Sequence, residues 1–319
     1  MQLAPPHIVG RTALDDPPSE KASALLFTAA SAFAAAAADA ADRQADAAVS
    51  EAEIAACFKR LGTSELPGTS SGEGHSPDEL YLDALSSSLT SLLLPHNNIG
   101  DLGCIGLAHA CARGALSKLT SLDLSRNEIG DSGCIALADA CSKRALPALM
   151  ELNLYGNEID DRGCTALAHA CGSKRALAKL TWLNLGGNRF GDPGCIAIAG
   201  ACTKSTLSNL TVLTLNHTKG AGGGGPGERR KGIGDRGCIA IADALAKGAL
   251  FHLQALRLNG NSISDAGCIA LASVCARGAL HHLTRMDLDG NEIGETGCAA
   301  LEKVRAKGGL PRLTTLYLG

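Results

Sequence analysis

One block of the form LTSLDLSRNEIGDSGCIALADAC recurs seven times along this chain of 319 residues. The blocks begin at Leu89, Leu119, Leu149, Leu180, Leu210, Leu253 and Leu283, and an eighth block from Leu313 stops after its first few residues. A block of this length cannot bury its own apolar face, so neighbouring blocks must stack and share one core. This period therefore restricts the chain to a solenoid.

Each block changes from a strand pattern to a helix pattern. Leu122 and Leu124 alternate with polar residues, which predicts a short half-buried strand, whereas Cys134, Leu137 and Cys141 share one helical face. Packed helices are spaced about 8 to 10 Å apart and paired strands about 4.8 Å, so the stack must curve with its strands inside. The sequence predicts a right-handed α/β solenoid, a horseshoe with a parallel β-sheet on the concave face and α-helices on the convex face.

The repeat LxxLxLxxNxIGDxGCxALAxAC resembles the ribonuclease-inhibitor type of leucine-rich repeat, a class also found in NOD-like receptors and in the Ran GTPase-activating protein. The resemblance covers residues 89–319 and implies a scaffold that binds a partner protein. It also implies two alternatives, namely small-GTPase activation and the sensor or inhibitor part of a NOD-like-receptor-type protein. No GxxxxGK[ST] motif accompanies the repeats, and no family-specific catalytic residues match. We expect a binding protein without enzymatic activity.

Two columns of the repeat have structural interpretations. A ladder of asparagines follows the strands, where side-chain amides can bind turn backbone: Asn97, Asn127, Asn157, Asn188, Asn261 and Asn291. Glycines occupy the first helical turn, where we expect close packing on the next repeat: Gly103, Gly133, Gly163, Gly194, Gly237, Gly267 and Gly297. In the fifth block the asparagine position falls on Thr218 or on Lys231, depending on the alignment. We expect Thr218, beside an insertion, to contribute little to stability.

Cysteine is unusually frequent, with 13 residues in the chain. Pairs such as Cys134 and Cys141 lie seven residues apart on one helix, about 10.5 Å, which is too far for a disulfide. The cysteines are therefore interpreted as buried free thiols, which indicates the cytosol or the nucleus. No cysteine or histidine spacing is typical of zinc, and we predict neither a metal nor a cofactor.

The first 88 residues differ in composition from the repeats. We expect a disordered tail at 1–20, an alanine-rich helical segment at 21–61, a linker at 62–76 and a capping helix at 77–88, followed by the repeat domain at 89–319. Acids such as Asp39 and Asp42 within the alanine-rich segment argue against a membrane span. No comparable cap follows the last block, which leaves open a fragment, a frayed end or a covering subunit.

Charge is unevenly distributed. Residues 1–88 contain 5 Lys/Arg and 13 Asp/Glu, whereas the remaining residues contain 24 and 19. An acid such as Asp131 opens each predicted helix and a base such as Lys143 closes it, which is expected of capping and dipole matching within that helix. Stacking would align these bases into a basic rim, but without interleaved aromatic residues we do not expect nucleic acid as a partner.

Candidate binding residues lie where the fold does not dictate the side chain. The positions alternating with the core leucines point to the concave face: Asp123, Arg126, Glu151, Asn153, Tyr155, Trp182, Asn184, Asn216, Arg257, Asn259, Arg285, Asp287 and Asp289. Trp182, the only tryptophan, and Tyr155 fall on adjacent strands and are typical of an interface hot spot. The insertion at 219–231 contains GAGGGG, which we interpret as a mobile loop and not as a phosphate site. Its bases are candidate partner contacts: Lys219, Arg229, Arg230 and Lys231.

Overall fold

The computed structural model describes residues 90–114, 116–173, 176–204, 207–218 and 232–318. The described chain contains eight strands: β1 (Ser91–Leu93), β2 (Ser121–Asp123), β3 (Glu151–Asn153), β4 (Trp182–Asn184), β5 (Val212–Thr214), β6 (Ala255–Arg257), β7 (Arg285–Asp287) and β8 (Thr315–Tyr317). Seven helices alternate with them: α1 (Gly100–Ala112), α2 (Asp131–Ser142), α3 (Asp161–Gly172), α4 (Asp192–Cys202), α5 (Asp235–Ala246), α6 (Asp265–Ala276) and α7 (Glu295–Ala306). The predicted segments before residue 89 and the insertion at 219–231 lie outside the described residues.

The strands form one parallel sheet in the order β1 to β8, with each strand beside the next in the chain. The central leucines of neighbouring strands are paired in register, as Leu122 with Leu152 and Leu152 with Leu183. Each such leucine is buried while its two neighbours in the strand are partly exposed. Side chains alternate along a strand, so these neighbours lie on the opposite face of the sheet. The predicted α/β solenoid is confirmed.

The core lies between the sheet and the helices. Leu122, Leu124 and Ile129 from one repeat meet Cys134 and Leu137 from its helix, and each of these five side chains is at most 1% exposed. One layer of this kind per repeat stacks on the next, which gives one continuous apolar cluster along the described chain. Because each strand directs only its central residue towards the helices, the leucines before and after the strand complete the inner wall.

The asparagine column ties each turn to the preceding repeat. Asn157 accepts hydrogen bonds at Oδ1 from the backbone N–H groups of Asn127 (2.9 Å) and Ile129 (3.0 Å). Its Nδ2 donates to the carbonyl oxygens of Leu124 (2.9 Å) and Leu154 (3.1 Å). Equivalent bonds to both repeats are made by Asn127, Asn188, Asn261 and Asn291. Asn97, in the first described turn, donates to the carbonyl oxygen of Pro95. The ladder therefore satisfies turn backbone that the sheet leaves unpaired.

Thr218 occupies the ladder position in the interrupted repeat. Its hydroxyl donates to Asn261 Oδ1 and accepts from the N–H of Ile233 at 3.0 Å, and the residue is only 4% exposed. These bonds make Thr218 part of the ladder, so we now predict that its hydroxyl contributes to stability, contrary to the expectation from the sequence. The Thr218 hydroxyl can reach the N–H of Ile233 because the chain returns to the same turn after the insertion.

A second hydrogen-bond column, joining successive helices, was not predicted from the sequence. The aspartate at or next to the start of each helix from α1 to α6 accepts two backbone N–H bonds from the next repeat. Asp161 Oδ1, for example, lies 2.9 Å from the nitrogens of both Gly191 and Gly194. The same pair of bonds is made by Asp101, Asp131, Asp192, Asp235 and Asp265. Each carboxylate thus caps the following helix, and the prediction that it caps its own helix needs this correction.

At Asp235 the hydrogen bonds between repeats also change the pKa of the carboxyl group. Burial raises its pKa, but hydrogen bonds from the hydroxyl and N–H of Ser264 and the N–H of Gly267 outweigh burial, so the pKa lies below its ordinary value. Its Oδ2 accepts the Ser264 hydroxyl at 2.6 Å. The acidic column is therefore part of the packing between repeats and not a free acidic rim.

The glycine column follows from the same geometry. A Cβ on Gly133 would lie 2.9 Å from Asp101 Oδ1, from Cys104 Cβ and from Ile129 Cγ2. Contacts this close require the capping carboxylate or the neighbouring repeat to move. Only glycine at this position lets the aspartate of one repeat reach the helix of the next.

All cysteines of the described chain are free thiols, and all but Cys298 are buried. Several donate to the next repeat, as Cys104 Sγ to the carbonyl oxygen of Gly133 at 3.3 Å. Burial raises the pKa of Cys141 to about 12, and the nearby thiol of Cys111 adds to the shift. These groups act as neutral, apolar side chains at physiological pH.

Candidate functional site

Three rows of side chains cross the concave face at right angles to the strands. Row A contains the first strand residues: Ser91, Ser121, Glu151, Trp182, Val212, Ala255, Arg285 and Thr315. Row B contains the third strand residues: Leu93, Asp123, Asn153, Asn184, Thr214, Arg257, Asp287 and Tyr317. Row C continues the pairing beyond the strands: Ser125, Tyr155, Gly186, Asn216, Asn259 and Asp289. The register alone decides which predicted site residues are neighbours.

Row A places an apolar centre between opposite charges. Trp182 is paired with Glu151 on one side and Val212 on the other, and Val212 is followed by Ala255 and then Arg285. Trp182 and Val212 are partly exposed. Ala255 lies in the same row as Trp182. It was not among the predicted site residues, because a small apolar side chain in a sequence does not by itself indicate a binding position.

Tyr155 lies in row C, four residues further along its strand than the residue paired with Trp182. At about 3.3 Å per residue, the two aromatic side chains are separated by roughly 13 Å along the strand direction. The structure therefore does not bring them into one cluster. Tyr155 packs on Gly187 instead: a Cβ added to Gly187 would lie 3.3 Å from Tyr155 Cε2. The Arg126 guanidinium lies 5.5 Å from the centroid of the Tyr155 ring.

A shallow cleft of about 560 Å³ surrounds Tyr155 at the carboxyl ends of the strands. Arg126, Glu128 and His217 line it, as do Glu158 and Arg189, which form an exposed ion pair. Two arginines and two glutamates line this cleft. It has no dominant charge and is separate from the Trp182 region.

The acidic side of the concave face lies on β2 and β3. Asp123 accepts from Asn153 Nδ2 at 3.0 Å, and Glu151 accepts from the Ser121 hydroxyl at 2.9 Å. The other carboxylate oxygen of Asp123 accepts the N–H of Ser125 at 2.8 Å, and Asn153 and Asn184 make similar bonds within their own turns. The side chains of Asp123, Asn153 and Asn184 therefore stabilise the turns as well as facing the concave surface. Glu151 makes no such bond to a turn.

The basic side lies on β6 and β7. Arg285 Nε donates to both carboxylate oxygens of Asp287, at 3.0 and 2.8 Å, and its guanidinium lies 5.3 Å from the ring centroid of Tyr317. Arg257 Nε is 3.7 Å from the same carboxylate. Asp287 is 4% exposed, so it holds the two arginines in place and presents little surface itself.

Other predicted site residues are distributed around this side. Asn259 lies in row C, where its Nδ2 is 3.1 Å from His217 Nε2, and Asn216 and Asp289 flank it in the same row. Lys143, at the end of α2, is exposed. The candidate loop contacts Lys219, Arg229, Arg230 and Lys231 lie outside the described residues.

Among the described residues, no three His, Cys, Asp or Glu side chains are grouped so that they could hold a metal ion. Within the same ranges, no helix has both the length and the apolar content needed to cross a bilayer.

Comparisons with known proteins agree with this architecture. Six segments match a family model described as "Leucine Rich repeat": residues 85–108, 115–138, 146–168, 176–199, 249–272 and 279–301. No curated protein matches the sequence.

Three solved structures are similar to parts of the chain. An internalin (inlF) from Listeria monocytogenes is 20% identical, with a TM-score of 0.42 over 73% of this chain and 56% of the internalin. Leiomodin-1 actin-binding site 2 is 14% identical, with a TM-score of 0.36 over 63% of this chain and 88% of that one. The plant peptide hormone receptor RGFR1, in complex with RGF2, is 20% identical, with a TM-score of 0.37 over 72% of this chain and 36% of the receptor.

No function passes to this chain from proteins at these identities and TM-scores. The repeat itself is the firm relationship, because the six matched segments coincide with strand–helix units that stack in one parallel sheet. The repeat region at residues 85–301 belongs to the leucine-rich repeat family.

Proposed function

We propose that this protein is a non-enzymatic scaffold that binds a partner protein on its concave face. The observation that carries the proposal is row A, in which Trp182, Val212 and Ala255 form an apolar centre between Glu151 and Arg285. A partly exposed tryptophan beside small apolar residues, with charges at its margins, has the composition of a protein interface. The partner's complementary surface is apolar at its centre, basic towards β3 and acidic towards β7.

The compartment is part of the same proposal. The many buried thiols of the described chain are free, and free thiols persist in reducing surroundings. We therefore place the protein in the cytosol or the nucleus. Disulfides found by mass mapping after rapid alkylation would contradict this placement.

The repeat containing β4 and α4 offers a matched test of the binding face. Trp182 faces the concave side, whereas Ile196 on α4 is 39% exposed on the convex side of the same repeat. Proteins captured from a cell extract by the wild type are identified, and their affinities for Trp182→Ala and Ile196→Ala are measured. We expect Trp182→Ala to weaken binding by about 2 kcal/mol or more, as truncation of a central anchor does, and Ile196→Ala to have little effect.

The opposite pattern would place the interface on the helices and refute the concave assignment. Equal binding by the wild type and both variants would also refute it. Both side chains are partly exposed, so melting curves should show that each variant keeps its fold.

The ribonuclease-inhibitor subclass, small-GTPase activation and a NOD-like-receptor-type sensor role remain predictions of the sequence resemblance. A hydrolysis assay with purified small GTPases separates the GTPase-activating alternative from binding alone, because only the former accelerates GTP hydrolysis.

A further inference from the structure

Two buried polar side-chain atoms without hydrogen-bond partners belong to residues that face each other where β5 meets β6 on the concave face. They are the hydroxyl oxygen of Thr214 and Nε of Arg257, and no described residue forms a hydrogen bond with either atom. A third such atom, Asn216 Oδ1, lies against Gly186 of the preceding repeat and is not part of this pair. Thr214 is 3% exposed and lies opposite Arg257 in row B. Because buried polar groups in folded proteins are almost always paired, two facing atoms without partners indicate a surface that a bound group completes.

The neighbouring arginine is already held in position. Arg285 binds Asp287 through Nε and is supported by the ring of Tyr317. Arg257 Nε lies 3.7 Å from Asp287 Oδ2, which is too long for a hydrogen bond. Asp287 therefore neutralises one guanidinium, and the pair of arginines keeps one positive charge in excess.

We propose that Arg257, Arg285 and Thr214 form a subsite for a single carboxylate, the side chain of an Asp or Glu on the partner protein. This inference rests on the proposed concave binding function and names the chemistry that β5 to β7 recognise. The side chains of Arg257 and Arg285 are 38% and 41% exposed, so part of each side chain is accessible to a partner. Guanidinium groups bind carboxylates through paired, charge-assisted hydrogen bonds.

Thr214 completes the subsite when Arg257 moves. Thr214 lies opposite Arg257 in row B, so a carboxylate bound to a displaced Arg257 guanidinium can also accept a hydrogen bond from the Thr214 hydroxyl. The same movement takes Arg257 Nε out of the buried position in which it has no hydrogen-bond partner. Binding therefore satisfies donors that the free protein leaves unpaired.

The charge of the cluster favours a carboxylate over a phosphate group. Asp287 lies between the two arginines, and Asp289 lies two residues further along the same chain segment in row C. One excess positive charge matches one carboxylate. A phosphate dianion would bring a second negative charge close to Asp287 and Asp289.

Nuclear magnetic resonance of the arginine Nε–Hε groups in the full-length protein tests the subsite directly. The probe is blocked glutamate (N-acetylglutamic acid amide), with blocked glutamine as its uncharged match, and Arg236 on α5 is the exposed control arginine. We expect saturable shifts at Arg257 and Arg285 with blocked glutamate, and neither saturation at Arg236 nor a response to blocked glutamine.

Two variants separate recognition from general charge. Arg257→Gln, followed at the Arg285 resonance, should weaken the affinity for blocked glutamate by about fivefold or more, since a charge-assisted pair is lost. Thr214→Val keeps the charge and the shape and should weaken it by about threefold, since one donor is lost. Unchanged melting temperatures show that both variants are folded.

Several results would overturn the proposal. These are the absence of saturable shifts at Arg257, equal responses to glutamate and glutamine, or unchanged affinity in Arg257→Gln. The titration needs no partner protein, so its failure leaves the Trp182 test intact. Failure of the Trp182 test with a positive titration would leave a carboxylate site without the proposed scaffold role.

Discussion

Removing one capping carboxylate should destabilise the contact between two repeats. Asp161 Oδ1 accepts the N–H groups of Gly191 and Gly194 at 2.9 Å each, so Asp161→Ala leaves both donors at the start of α4 without this acceptor. Loss of an N-cap costs about 0.5 to 2 kcal/mol, and a buried donor left unpaired costs about 1 to 3 kcal/mol. Because the two amides share one acceptor and Asp161 is only partly buried, we expect about 2 to 4 kcal/mol in the free energy of unfolding.

Two variants set the scale for this measurement. Asp161→Asn keeps an acceptor oxygen but loses the charge at the helix N-terminus, so it should cost about 0.3 to 1 kcal/mol. Asp139→Ala removes an exposed carboxylate from α2 and should lie within about 0.5 kcal/mol of the wild type.

The assay combines urea unfolding, followed by circular dichroism, with hydrogen exchange at Gly191 and Gly194. Exchange at these two amides should accelerate in Asp161→Ala more than exchange in distant repeats, because each repeat contacts only its neighbours. If Asp161→Ala were as stable as Asp139→Ala and exchanged at the wild-type rate, capping between repeats would contribute nothing and the reasoning would be wrong.

Three further predictions concern the interior. Asn157→Ala should lower the free energy of unfolding by about 1 to 3 kcal/mol in urea titrations, since four backbone groups lose a partner, whereas the exposed Asn209→Ala should change it little. Thr218→Val should lower the free energy of unfolding by about 1 to 3 kcal/mol in the same assay, since the Thr218 hydroxyl bonds Ile233 N and Asn261. The control Thr203→Val, at an exposed position, should change it little. Equal losses in the two variants would show that Thr218 does not act as part of the ladder. Burial raises the pKa of Cys141 to about 12, so the folded state holds this proton longer than the unfolded state does and stability must fall with pH above about 9, by about 1.4 kcal/mol per thiol and pH unit. Melting temperatures that stay constant from pH 8 to about 11 would contradict the thiol burial.

The fold was predictable because one period governs every block. Leu122 and Leu152 occupy the same position in successive blocks, and a solenoid can bury such residues only by placing them side by side in register. The cysteine stripe was predictable for the same reason, since residues seven apart on a helix share a face. The strand residues that alternate with the leucines could likewise be assigned to the concave face.

Contacts between repeats were decided by the tertiary structure. From the sequence, an aspartate at the start of a helix is interpreted as a cap of that same helix. Only the stacking of the repeats shows that Asp161 accepts hydrogen bonds from Gly191 and Gly194. Thr218 took the ladder position because the chain returns to the same turn after the insertion, which no local pattern specifies.

The candidate site divides in the same way. The sequence by itself determined which side chains face the concave surface, because alternation along a strand is a local property. Only the sheet register decided that Trp182 has Glu151 and Val212 as neighbours, that Tyr155 lies in a different row, and that Thr214 lies opposite Arg257. Pairing across strands joins residues about 30 positions apart, so it depends on how whole repeats stack.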